Sequence, residues 1–320
     1  MNKYIIKTIV LATILVTLNG CAQNTKKQEN MSTEYRDKIK NNYKNVKSYD
    51  YNPIYQIRFD KYNCPIEFYI NDVLVEYLPD SGKSAGEQHL EIPQYILKSG
   101  IQTISVKIYP LLDKSKKLEK FVSKNVELKV RVVYGDYKKD LKNGAKNFKE
   151  VLSVELPKID HDVPFIEFSR EFTATVPYEL QGWSKGVDLS EEKPEELEKE
   201  VNERLKEIAD LYQNKDIEGL AKEHYNRVKE IDQSLYFTTK ENSASWESEL
   251  QEALNESKSI ELLSGKMKLM ANGRLVTILV SEGAFRNQSL IRSRVEGGYS
   301  DFYPQYFYRP SPGAKLEVIR

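Results

Sequence analysis

Gly82-Lys83-Ser84-Ala85-Gly86 has the G-x-S-x-G spacing in which a sharp turn between a strand and a helix exposes a serine for attack on an acyl group. Such an attack needs an oxyanion hole beside the serine and acidic and histidine partners further along the chain. Here the pattern follows Pro79-Asp80-Ser81 and precedes Leu90-Glu91-Ile92, which reads as strand, loop, strand. A hairpin loop is therefore expected, and a hydrolase using Ser84 is kept only as an alternative. Gly82-Lys83-Ser84 does not open a phosphate-cradling loop either: that motif needs a glycine five positions before Gly82, where the chain has Tyr77. Asp160-His161-Asp162 groups three metal-ligating residue types, but in a polar connection, with His89 and His224 the only other histidines. Neither a metal site nor a cofactor is expected. His224 falls beside an apolar helical stripe and is expected to be a half-buried helix residue rather than a base. Cys64, in Tyr62-Asn63-Cys64-Pro65-Ile66, is expected to be a buried, unreactive thiol. No catalytic residue is assigned.

Tyrosines crowd the C-terminal end at Tyr299, Tyr303, Tyr306 and Tyr308. In a regular strand Tyr306 and Tyr308 share one face and Phe307 takes the other. Tyrosine gives large contact area at low entropic cost, so Tyr303, Tyr306 and Tyr308 are the candidate binding residues, with packing inside the fold as the competing expectation.

The chain opens with Lys3 and Lys7, an apolar run over residues 8–18, and then Leu18-Asn19-Gly20-Cys21. An apolar core of about ten residues is half of the roughly 20 needed to span a bilayer, and marks a signal peptide over residues 1–20. Gly20 followed by Cys21 resembles the lipobox of bacterial lipoproteins. That resemblance implies cleavage before Cys21, lipid on its thiol, and a membrane-anchored protein on the periplasmic side or the cell surface. Ala22 is not the aspartate associated with inner-membrane retention, so in a Gram-negative source the outer membrane is favoured. Residues 21–51 are polar and charged, and are expected to be a flexible tether.

These side chains need elements to hold them. From about residue 54 to 178 apolar residues alternate with polar ones: Ile66, Phe68 and Ile70 with Glu67 and Tyr69, then Ile104, Val106 and Ile108 with Ser105 and Lys107. Strands without helices between them make a largely antiparallel sheet system, so residues 52–182 are expected to form an all-β sandwich. The layout around Asn71-Asp72 and Ile92 to Gly100 resembles galactose-binding-like and immunoglobulin-like modules, which bears on fold alone. A Gly- and Glu-rich stretch then shifts the period to 3.6. Leu197, Val201, Leu205, Ile208 and Leu211 stripe one helix, Asp216 caps a second, and a third starts near Ser243 or Ser245. Asn272-Gly273 marks a hairpin. Residues 183–320 are expected to be an α+β domain, giving a mixed fold overall. Leu211 to Leu220, Asn272-Gly273-Arg274-Leu275-Val276 and the closing Gly313 to Arg320 resemble the NTF2-like fold, which implies helices closing over a curved sheet.

Lysine and arginine number 48 against 48 aspartates and glutamates. Loss of Lys3 and Lys7 with the signal peptide leaves 46 basic residues, so the mature chain has no basic field for phosphate backbones and no nucleic-acid partner is expected. The expected function is non-enzymatic: a lipid-anchored cell-envelope protein that binds another protein, as an immunity or assembly factor would. The alternative is a carbohydrate-binding lipoprotein recognising an envelope glycan.

Overall fold

The computed structural model describes residues 32–79, 86–140, 147–295 and 300–320. The signal peptide, Cys21, the start of the expected tether, Ser84 and Tyr299 lie outside these residues.

The alternating segments become two four-stranded sheets. Strands β1 (Ile54–Tyr62), β4 (Gln88–Glu91), β6 (Glu127–Gly135) and β7 (Lys149–Glu155) pair in the order β4-β1-β6-β7. Strands β2 (Ile66–Ile70), β3 (Val73–Leu78), β5 (Gly100–Ile108) and β8 (Ile166–Ala174) pair as β3-β2-β5-β8. Every pairing is antiparallel. Ile57 and Phe59 of the first sheet and Phe68, Ile104 and Val106 of the second share one apolar cluster. The rings of Phe59 and Phe68 meet across it at 4.9 Å. Asn71 and Asp72 turn β2 into β3 with φ of 52° and 64°, the left-handed pair of a type I′ hairpin.

Glu67 and Tyr69 differ from the expectation of one wet face: all five β2 residues are buried. The outer face of β2 is covered by the C-terminal half. Tyr69, Val73 and Leu74 share a second apolar cluster with Trp183, Leu275 and Tyr306, so a core crosses the boundary expected at 182–183. Arg320 reinforces the seam, donating to Glu230 at 2.9 Å and to the Gln94 carbonyl at 2.8 Å. Thr33–Arg320 form one compact unit.

After the short helix α2 (Tyr137–Asp140), which follows β6, and the remaining strands of the sheets come α3 (Pro194–Gln213), α4 (Ile217–Ser234) and α5 (Lys240–Glu256). Pro194 sits in the first turn of α3, and the Asp216 carboxylate accepts from the Gly219 amide at 2.8 Å to cap α4. Helix α5 starts earlier than Ser243, because Thr239 caps it. Strands β9 (Ser257–Leu262), β12 (Ile291–Val295) and β13 (Ser300–Phe302) form one antiparallel sheet. Strands β10 (Lys266–Met270), β11 (Leu275–Leu279), β14 (Phe307–Tyr308) and β15 (Glu317–Val318) form another. The helix stripe of Val201, Leu205 and Ile208 packs on Val276, Phe307 and Leu316. N-terminal strands followed by helices and further antiparallel strands make a mixed fold.

The tether expected up to residue 51 is, within the described residues, a docked arm. Helix α1 (Glu34–Lys40) buries Ile39 against Ala221 and Val228 of α4. The amides of Tyr35 and Arg36 donate to the Glu218 carboxylate at 2.8 and 3.1 Å, satisfying donors that a helix start leaves orphaned. Burying one isoleucine is worth about 1.5–3 kcal/mol, enough to hold a short arm that composition alone marks as loose.

Candidate functional site

Between α4 and α5 lies a recess of about 230 Å³. Its walls come from three helices: Tyr212 from the end of α3, His224, Val228 and Ile231 from α4, and Trp246 and Leu250 from α5. Arg227, Asp232 and Glu249 add charge to its lining. The period-3.6 stripes that bury the helices also supply these side chains.

His224 is held by two hydrogen bonds in series. Gln305 donates its amide nitrogen to the Tyr303 carbonyl at 3.3 Å, which leaves its oxygen facing the imidazole. The His224 Nε2 lies 3.0 Å from that oxygen, so Nε2 carries the proton and Nδ1 is the acceptor. Burial, with the nearby Arg227 charge, pulls the His224 pKa down to about 3. The ring is therefore neutral across ordinary pH. The Trp246 ring meets it edge-on at 6.5 Å and the Tyr212 ring lies 6.2 Å away. His224 is thus fully in the interior, more buried than its place beside the stripe implies.

Asp232, two helical turns further along α4, is also buried, and burial pushes its pKa up to about 6, against the opposing hydrogen bond from Asn42. Asn42 Nδ2 donates to it at 2.6 Å, so the arm closes one side of this region. His224 and Asp232 hydrogen-bond to different partners and do not form a dyad. What the recess offers is aromatic and aliphatic surface, a neutral imidazole in its wall and a charged rim, which are means of binding.

The tyrosine candidates sit differently from an exposed platform. Tyr303 stacks on Tyr212 at 4.3 Å, behind the recess. Tyr306 and Tyr308 are only 6% and 5% exposed. Tyr306 donates to the Leu74 carbonyl at 3.1 Å and packs in the seam with Tyr308, while Phe307 points into the helix-facing cluster. The alternation expected from the sequence holds, but its outcome is packing, because the N-terminal half covers that face. Burial pushes the Tyr308 hydroxyl up to about 12 and Tyr306 well above the usual tyrosine range.

No protein-family model, curated protein or solved structure matches this chain.

The remaining sequence candidates are scattered. His161 Nδ1 is 2.8 Å from Asp160 on the surface, and Asp162 pairs with Lys124 at 3.1 Å. Among the described residues no group of three or more His, Cys, Asp or Glu side chains could hold a metal ion. Cys64 is buried in the core between the two N-terminal sheets. Among the described residues no helix is long and apolar enough to cross a membrane. Sequence reasoning missed Gln305 and Asn42, which lie 81 and 190 residues from the side chains they hold. The one available signal was a glutamine set between Pro304 and Tyr306 in an otherwise aromatic run.

Proposed function

We propose that this chain is a lipoprotein, anchored through lipid on Cys21, that binds another protein of the cell envelope and catalyses no reaction. An immunity or assembly factor is one form of that role. The two facing N-terminal sheets are read as a β-sandwich, and the helices with the C-terminal sheets as an NTF2-like α+β unit. The aromatic recess between α4 and α5 carries the reading. It has the size and lining to take a single apolar or aromatic anchor from a partner, the kind of pocket in which interface energy concentrates. His224, held by Gln305, adds a neutral polar side chain to that lining.

The test is a photo-crosslinking residue in place of Glu249 at the rim, used in envelope extract. A single protein crosslinked there, and lost when Trp246→Ala is added, supports the reading. A chain that captures nothing, or captures the same proteins with and without Trp246, counts against it. Lipid anchoring is checked separately: Cys21→Ser should move the protein from the membrane fraction to the soluble fraction.

A further inference from the structure

The outer face of the β4-β1-β6-β7 sheet carries a second recess, of about 280 Å³, near the lower end of small-ligand sites at roughly 300 Å³. Alternation along β1 sends Ile57 and Phe59 inward and Gln56 and Arg58 outward. Register places Arg58 opposite His89 on one side and opposite Arg131 on the other. Two guanidinium groups directly opposed across strands repel, and a fold has no structural need to set them there. Glu87 answers both, paired with Arg131 and 3.8 Å from Arg58, and Glu150 lies 3.6 Å from Arg131. A local cost met by a dedicated partner, rather than avoided, is a feature of functional sites.

The floor is fixed. Gln56, 3% exposed, accepts from Arg58 at 3.2 and 3.1 Å and donates to the Tyr137 hydroxyl at 2.8 Å, which in turn donates to Glu91. Phe148 covers the Arg58 guanidinium at 5.1 Å and meets the Tyr137 ring at 5.9 Å. Gly135 makes this possible: a Cβ there would run into the Phe148 ring. The result is a shallow, open recess with aromatic flanks and donors and acceptors already locked in place, so little side-chain entropy remains to be lost on binding.

We infer that this face binds a neutral oligosaccharide, independently of the helical recess. Sugar rings present C–H faces to aromatic flanks and hydroxyls that both donate and accept, which the Arg–Gln–Tyr–Glu chain matches. Glu87, Glu91 and Glu150 offset the two arginines, so the face holds no surplus cation for an acidic polymer. A peptide would need either an apolar groove or a long free strand edge here, and the edge strand beside this recess, β4, is only four residues long.

The test is calorimetric titration of the full chain in detergent with chito-, cello- and manno-oligosaccharides, an acidic oligogalacturonide and a mixed peptide library. Saturable binding of at least one neutral sugar is expected. It should weaken at least tenfold in Arg131→Gln, in Phe148→Ala and in Gly135→Ala, the last of which displaces the flank and leaves every polar group in place. Trp246→Ala should leave sugar binding unchanged, which separates this outcome from the fate of the helical recess. Binding of none of the neutral sugars, of the acidic sugar or peptides alone, or of sugars equally by wild type and folded variants overturns the inference.

Discussion

The two recesses solve opposite problems. The one between α4 and α5 is walled by rings and aliphatic side chains, and its buried titratable groups depart far from their ordinary range: His224 falls to about 3 and Asp232 rises to about 6. The one on the β4-β1-β6-β7 sheet is open and polar, with charges offset pair by pair. Burial forces a charge to be neutralised, whereas an open face lets it stay charged and be matched by a neighbour. Depth moves the pH at which a group titrates; a network confers fixed geometry.

Four measurements would sharpen or break that contrast. Trp246→Ala should cost the most, about 2–4 kcal/mol by urea unfolding, because it removes a wall of the apolar recess; a cost below about 1 kcal/mol would mean the recess is only loosely packed. Asp232→Asn should stabilise the protein. The raised pKa means the native state holds a proton that the unfolded chain releases, so the wild type loses stability as pH rises from about 4 through 6. The asparagine variant should exceed the wild type by on the order of 1–3 kcal/mol at pH 7.5 and match it near pH 4. An equal gain at both pH values would show the carboxylate is not desolvated. His224 should keep its Nε2 proton and stay neutral from pH 8 to pH 5 in nitrogen-resolved NMR, and titration in that range would remove the neutral imidazole from the recess wall. Glu87→Gln should change stability least, by under about 1 kcal/mol, as exposed ion pairs do; a larger loss would make the sheet face as buried as the helical recess.

Much of this was legible in local periodicity. The β2 and β5 alternation, the α3 stripe, the Asp216 cap and the Asn71-Asp72 turn all follow from neighbours a few residues apart. At Asn272-Gly273 the hairpin forms, but as a four-residue turn in which Ala271, Asn272 and Gly273 all take positive φ. The arm was not legible, because Glu34–Lys40 carries few apolar residues and its helix depends on Glu218, 183 residues from Tyr35. The covered outer face of β2 was missed for the same reason: Glu67 and Tyr69 look like a solvated face until the C-terminal half packs over them. The recess brings together the ends and middles of three helices with Gln305, and the sheet face depends on cross-strand register, which periodicity does not encode.

The docked arm also decides how the molecule bears load. Tension arriving at Thr33 enters α1 where two backbone amides grip Glu218, and passes through Arg36 to Glu247 and through Asn42 to Asp232. These links fasten the arm to α4 and α5 at several points along its length. A pull on the arm at Thr33 is therefore shared with α4 and α5 before it reaches β1, the strand that follows the arm.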